Sequence, residues 1–479
     1  MTLLSNHLYW LLLTVIMPAL CAVLSWVVPK AWIKSIACAT AVASFVGSVV
    51  LLVSSTRGQW FGLFGIDPLS DVFLFMVTSI YATSVWYSSG YLKDVREAFL
   101  SERMYYSLLG MFAFTMLFSL SVSDLGIMWV GVEGTTVASA LLIILERKKT
   151  SVEAAWRYTL IASAGLTLVL LGLLFLYNIT GTLDIFALAA DPPAFSLAIA
   201  LVVAICLVGY GTKVGVFPMH TWLPDAHSEA PSPVSALFSG LLLPTALYAF
   251  LRIYAIVPVG GAPFLQYLVI TFGVVTSLIA AFLMQRQKSY KRLLAYSSME
   301  VMGLAMIGVG VGGVALYGAL LLVVTHAFAK SAAFYCAGNV LRKTGTNQMA
   351  SVRDLRHRMP WTSAAWMLSG LAVTGTPPFG TFIAEMLIIV GALAFGLPLV
   401  AILVIVAILL AFLAVNYQLG VMIFETSPLP NPPVHREPIG GTVLAFINVG
   451  VTLALGIIYI PYFTDCIMTA TILLGGSLP

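Results

Sequence analysis

The sequence predicts an all-α polytopic membrane protein of about fourteen transmembrane helices, built around two inverted five-helix repeats. Three observations carry this. Hydrophobic residues make up 60% of the 479 and charged residues 9%, where soluble domains run at roughly 45–50% and 25%. Apolar runs near the roughly 20 residues a bilayer crossing needs recur along the whole chain. Two of those runs, five apart, are interrupted by proline. The composition excludes a soluble enzyme and a disordered chain. A net charge of +4, from 23 Lys+Arg against 19 Asp+Glu, is too small for a nucleic-acid partner.

The runs fall at about 8–28, 32–54, 69–90, 104–122, 125–145, 155–178, 195–224, 232–256, 264–284, 291–311, 314–340, 361–395, 398–424 and 440–460. They form a single membrane domain: N-terminal helices 1–3 within 1–103, a first repeat of spans 4–8 at 104–256, a second of spans 9–13 at 264–424, and a last helix at 440–460. No basic residue precedes the first run and Lys30 follows it, so it reads as a retained helix, not a cleaved signal. Loops after odd-numbered spans hold nineteen of the 23 basic residues; the other side holds only Arg57 and Arg252. The positive-inside rule then puts the odd-to-even loops in the cytoplasm and both termini outside it, in a cytoplasmic (inner) membrane.

Spans 7 and 12 carry the breaks, at Val216-Phe217-Pro218-Met219 and Gly375-Thr376-Pro377-Pro378-Phe379-Gly380. An odd period of five reverses direction, so a repeat relating them is inverted. Paired, interrupted spans in matching halves point to a transport site, because freed backbone groups are tolerated only against protein or water. The segment Ser427-Pro-Leu-Pro-Asn-Pro-Pro433 reads as a short linker. Gly308-Val-Gly-Val-Gly-Gly313 fits a G-x-G-x-x-G pattern but follows no strand, so it reads as a turn. The five cysteines lie far from any C-x-x-C spacing, which argues against a cluster or zinc site in this chain.

Ionisable residues inside spans are costly and functional by default. Glu133 lies about eight residues into span 5, roughly 12 Å deep. Lys213 precedes the span 7 break at similar depth, so the two can stabilise each other as an ion pair whose separation shifts both proton affinities. His326 and Lys330, four apart on span 11, share a helix face and suit a proton relay. Glu385 follows the span 12 break, placed to load or release a cation in the outer half. Glu300 sits about eight residues into span 10, with a less defined role. His220, Asp225, His227 and Glu229 cluster beside the span 7 break, on the cytoplasmic side. The histidine spacing of seven does not suit one helical face, so a wet uptake region or helix cap is expected there, and no metal.

The stretch Gly211-Thr-Lys-Val-Gly-Val-Phe-Pro-Met-His-Thr-Trp-Leu-Pro-Asp-Ala-His-Ser-Glu-Ala-Pro-Ser-Pro-Val-Ser-Ala236 closely resembles the signature of the antiporter-like membrane subunits of respiratory complex I and its relatives. Lys291-Arg-Leu-Leu-Ala-Tyr-Ser-Ser298 resembles the family's second strong motif. The resemblance covers nearly the whole chain. His227 to Ala236, the His326 and Lys330 pair, and Cys336-Ala-Gly-Asn-Val340 are similar to the hydrogenase branch, as in component F of hydrogenase-4.

The resemblance implies cation translocation, generally of protons, driven by redox chemistry elsewhere. Glu133 and Lys213 match the family's Glu–Lys pair, Glu385 the acidic residue of its second broken helix, and His326 a relay position. Pro244 stands where many members carry a span 8 lysine, Ser289 where many have Asp, and the long amphipathic C-terminal arm of some members is not seen. The expected function is a proton-translocating subunit of a complex-I-like oxidoreductase, of the group 4 nickel–iron hydrogenase or formate hydrogenlyase type. The chain has no cofactor motif. Iron–sulfur clusters and a nickel–iron site are expected in partners: related antiporter-like membrane subunits and a peripheral hydrogenase-like arm, with lipid around them and protons or sodium as cargo. Two readings stand beside it: a multisubunit sodium/proton antiporter without redox partners, and a non-pumping structural paralogue favoured by Pro244.

Overall fold

The structure, a computed structural model, describes residues 7–54, 57–95, 98–146, 148–257, 263–426 and 437–475. The linker at 427–433, and Arg96, Arg147 and Arg436 of the basic-residue pattern, lie outside the described residues.

Thirteen described helices are long and apolar enough to cross a membrane. They are span 1 (His7–Val27), span 2 (Lys30–Ser54), span 3 (Pro68–Tyr91), span 4 (Glu102–Ser121), span 5 (Leu125–Ile143), span 6 (Lys149–Thr180), span 7 (Leu197–Glu229), span 8 (Ser232–Tyr254), span 9 (Pro263–Met284), span 10 (Tyr290–Val311), span 11 (Gly313–Thr344), span 13 (Pro398–Phe424) and span 14 (Ile439–Ile457). The expected span 12 is two half-helices, 12a (Pro360–Val373) and 12b (Gly380–Ala394), each too short to cross alone at 1.5 Å per residue. With it the described residues hold thirteen single-helix spans and one broken pair, in line with the expected fourteen. A further helix, Pro461–Leu473, was not expected, because Thr464, Asp465 and Thr469 dilute its hydropathy. It packs on span 3, where the Cys466 thiol meets the Pro68 carbonyl at 3.2 Å.

Spans 8 and 10 are buried along their whole apolar stretch and span 11 nearly so, whereas spans 13 and 14 are mostly exposed to the surroundings. The centre is therefore spans 8, 10 and 11, and this is where buried polar side chains collect. Span 10 ends at Val311, and the chain turns through Gly312 (φ 80) and Gly313 (φ 52) into span 11. Of the Gly308–Gly313 stretch only Gly312 and Gly313 make the expected turn; Gly308 to Val311 remain in the helix. Between spans 2 and 3, Gly58–Trp60 and Phe64–Ile66 form a short antiparallel hairpin, with Phe61 and Gly62 both at positive φ, the geometry a tight hairpin demands.

Both breaks are built alike. Span 7 stops at Val214 with Gly215 in the left-handed region (φ 88), and span 12a is followed by Gly375 (φ 60). Each glycine is three residues ahead of a proline, Pro218 or Pro378, and Pro377 precedes the latter. A helix end leaves carbonyls without partners, and the second half of each broken span supplies one. The Trp222 indole N–H donates to the Thr212 carbonyl at 2.8 Å, and the Thr381 hydroxyl donates to the Ala372 carbonyl at 2.5 Å. Both carbonyls lie three residues before the glycine. Thr276 of span 9 also accepts from the Phe217 amide at 3.1 Å.

Span 8 has its own irregularity. Residues Phe238–Leu242 form a π turn, and the Leu243 amide bonds back to Phe238, five residues instead of four. The cause is Pro244, which has no N–H and whose ring crowds the preceding turn.

Candidate functional site

Lys213 closes the first half of span 7 and is fully buried. Its ammonium donates to the Val132 carbonyl and to the Thr136 hydroxyl of span 5, each at 2.6 Å. Glu133, between them in sequence, turns the other way and accepts from the Ser163 hydroxyl of span 6 at 2.6 Å. The expected ion pair does not form: no N–O approach within 4.0 Å joins the two. They remain within electrostatic reach. On a helix, Val132 and Thr136 lie about 40° apart and Glu133 lies to one side, about 100° from Val132 and 60° from Thr136; span 5 offers Lys213 its backbone and a hydroxyl, and the carboxylate goes to span 6.

A second group sits among spans 10 and 11 and the second half of span 7. Lys330 is fully buried and donates to the Leu294 carbonyl at 2.8 Å and to the Ser297 hydroxyl. Glu300, one turn beyond Ser297, lies within electrostatic reach of Lys330 and of Glu385. His326 and His227 are both fully buried, and neither ring nitrogen of either has a hydrogen-bond partner among the described residues. Both rings feel Lys330. His227 is ringed by Trp222, Phe238 and Phe334, with centroids 6.1, 5.6 and 6.3 Å away. His227 is therefore enclosed in an aromatic cage. Glu385, buried in 12b, packs its carboxylate against Gly375 in the break, where no β-carbon would fit.

The remaining cluster divides. Asp225 ties the end of span 7 to spans 6 and 10, through Arg157 at 3.3 Å and Arg292 at 2.6 Å. Glu229 accepts from Thr150 at 2.8 Å. His220 lies against Phe217, centroids 5.5 Å apart, away from the other histidine. Among the described residues no group of three His, Cys, Asp or Glu is arranged to hold a metal.

Two features escaped the sequence reading. Lys291, counted with the loop charges, is 1% exposed, and its ammonium reaches the Ala230 carbonyl. It lies on the wall of a 260 Å³ cavity shared with Glu146, Lys148, Thr150 and Glu229, and it acts on His227. Its only signal was its place at the head of the second motif. At the opposite end, Arg252 is paired to Asp67 in a two-pronged bridge of 2.5 and 2.7 Å and also donates to Ser70 and Tyr248 at 2.9 Å. Burial alone would raise the Asp67 carboxyl's proton affinity, but the Arg252 guanidinium holds it below the usual carboxylate value.

The chain is 35% identical over 368 residues to the hydrogenase-4 component F homolog of Methylacidiphilum infernorum, spanning 73% of this chain and 76% of that protein. In fold it is similar to a chain of the Mrp complex from a Dietzia species, with TM-score 0.86, 22% identity and 97% and 99% of the two chains covered. It is also similar to a chain of respiratory complex I from Thermus thermophilus, with TM-score 0.84, 22% identity and 97% and 100% covered. A family profile described as NADH:quinone oxidoreductase/Mrp antiporter, TM matches residues 122–411, a stretch that holds both breaks and every buried lysine and glutamate of the site. This multi-pass membrane protein belongs to the NADH:quinone oxidoreductase/Mrp antiporter family.

Proposed function

We propose that the chain is the proton-translocating, antiporter-like membrane subunit of a redox-driven, complex-I-like oxidoreductase of the nickel–iron hydrogenase or formate hydrogenlyase type. One observation carries the reading: buried Lys213 beside the partly buried Glu133, then buried Lys330, Glu300 and Glu385, run between two broken helices through the centre of the protein. Buried charges of this kind are rare in membranes and mark ion paths. Identity to the hydrogenase-4 component F homolog supports the hydrogenase branch.

Protons enter from the cytoplasmic cavity beside Glu229 and pass to Lys291, His227 and Lys330. From there His326, Glu300 and Glu385 carry them outward, and Glu133 and Lys213 form a second charged group at the first broken helix. Spans 4–8 and 9–13 act as two inverted repeats, at 104–256 and 264–424. Support comes from the matched glycine-to-proline spacing and the matched side-chain cap on the third carbonyl before each glycine. The basic loops face the cytoplasm, with both termini outside. Electrons move in partner subunits that hold iron–sulfur clusters and the nickel–iron site. A neighbouring membrane subunit covers span 5: Val130 and Val137, which flank the partly buried Glu133 on its face, are 57% and 63% exposed, and a carboxylate next to bare lipid is unfavourable.

The test is to purify the complex, identify its subunits by mass spectrometry, and reconstitute it in vesicles. Electron donor should drive proton movement, and Lys330→Leu should abolish it while the complex still assembles. A complex without iron–sulfur subunits would favour the antiporter without redox partners. Redox activity with no proton movement would favour the non-pumping subunit that Pro244 suggests.

A further inference from the structure

Pro244 replaces a titratable side chain with a ring, but its backbone effect has a second side. In a regular helix the Ser239 carbonyl accepts from the residue 243 amide; in a π turn it accepts from residue 244. Here the Leu243 amide is committed to Phe238, and position 244 has no amide to give. The Ser239 carbonyl has thus lost both helical donors, and a buried carbonyl is expected to find another.

Across the helix boundary, spans 8 and 11 are in close contact: a β-carbon on Gly240 would lie 3.1 Å from the Ala327 carbonyl oxygen. The residue before Ala327 is His326, fully buried. The ring lies near the Ser239 backbone, and neither nitrogen has a hydrogen-bond partner among the described residues. A donor without an acceptor and an acceptor without a donor therefore meet at the centre of the membrane.

We infer that the π turn imposed by Pro244 presents the Ser239 carbonyl as the acceptor for one His326 ring N–H, which fixes the imidazole tautomer and leaves the other ring nitrogen bare. Which nitrogen of a histidine carries the proton is set by the bond the other makes. The bare nitrogen can take a proton released by the Lys330 ammonium one turn along the same face, leaving a neutral amine and an imidazolium. The imidazolium keeps its bond to Ser239 and passes a proton on from the nitrogen that received it. Pro244 is then a positioning residue: it gives up a carrier on span 8 and orients one on span 11.

Only the transport arm of the test rests on the proposed function. Pro244→Ala restores an amide, so the Ser239 or the Gly240 carbonyl regains a helical donor. Complexes of the parent and of the variant, labelled with ¹⁵N-histidine, are compared by solid-state NMR; the chain has six histidines, and His326→Gln assigns the resonance. The parent should show one tautomer with a hydrogen-bonded N–H, and the variant a loss of that bonded signature. In vesicles, the variant should assemble and transport protons about tenfold more slowly, the low end of what losing an orienting partner costs a metal-bound histidine. An unchanged His326 spectrum overturns the inference, and so does transport at the parental rate. A parent complex that moves no protons overturns the proposed function, while the spectrum still decides the role of Pro244.

Discussion

The Lys213 ammonium lies 2.6 Å from the carbonyl oxygen of Val132, so span 5 holds the charge with its backbone while the neighbouring Glu133 side chain faces span 6. This separates the two members of the pair energetically. Glu133→Gln keeps an acceptor for Ser163 and leaves no partnerless ammonium. It should lower thermal stability by about 1 kcal/mol, well under the roughly 3–5 kcal/mol of a broken buried ion pair, yet reduce redox-driven proton movement. Thermal melting of the complex and vesicle acidification check the two halves; a large stability loss would mean a direct ion pair.

Lys291 should need to release its proton and not merely be positive. Lys291→Arg keeps the charge and donors toward Ala230, but a guanidinium does not deprotonate in proteins. Transport should fall on the order of a hundredfold while assembly holds. Parental transport in vesicles would make Lys291 a fixed charge.

Gly375 should be less replaceable than its backbone angle implies. Gly375→Ala and Gly345→Ala both place a side chain at positive φ, 60 and 69, at about 1–2 kcal/mol each. A β-carbon at Gly345 meets open space, whereas one at Gly375 collides with the Glu385 carboxylate. Melting of the two variants should differ, with Gly375→Ala lower, and only it should slow transport.

Acid should weaken the Arg252–Asp67 clamp in a defined direction. The Asp67 carboxyl titrates below its unfolded value because Arg252 stabilises the anion. Its contribution is therefore full above about pH 4 and is lost as pH falls through the lower, folded value. A 500 Å³ cavity lined by both residues gives protons access. Melting temperature should drop steeply below pH 4 in the parent, and this component should vanish in Asp67→Asn.

Sidedness is open to labelling. Ala350 and Ala194 are exposed at opposite ends of the spans. With the basic loops inside, Ala350→Cys should react with an impermeant thiol reagent only from the cytoplasm and Ala194→Cys only from outside. The reverse pattern would invert the proposed topology.

The fold was readable because its main signal is a length: twenty apolar residues announce a span whatever packs beside it, and glycine followed by proline announces a break. Lys213, Lys330, His326 and Glu385 stood out because ionisable residues are rare in such runs. What stayed hidden depends on packing between distant segments. Lys291 looked like a loop charge because it begins a span, and only the return of Ala230 over it creates its burial. Arg252 and Asp67 lie 185 positions apart. Pro244 declared a missing lysine, but its π turn and the orphaned Ser239 carbonyl need span 11 alongside to acquire meaning. The side of span 5 that Glu133 faces was set by Ser163, a hydroxyl with no signal of its own.

The line from the partly buried Glu133 to the buried Glu385 holds three lysines, Lys213, Lys291 and Lys330, and three glutamates, Glu133, Glu300 and Glu385. Fully ionised, these six sum to zero, and they do so again when one proton moves from a lysine to a glutamate. An extra proton leaves one uncompensated charge in a medium of low polarisability, at a cost of several kcal/mol. Release of a proton from any other member removes that cost. Electroneutrality of the line therefore favours a stoichiometry of one proton out for each one in, imposed by the charge count itself, with no hinge or lid required to enforce it.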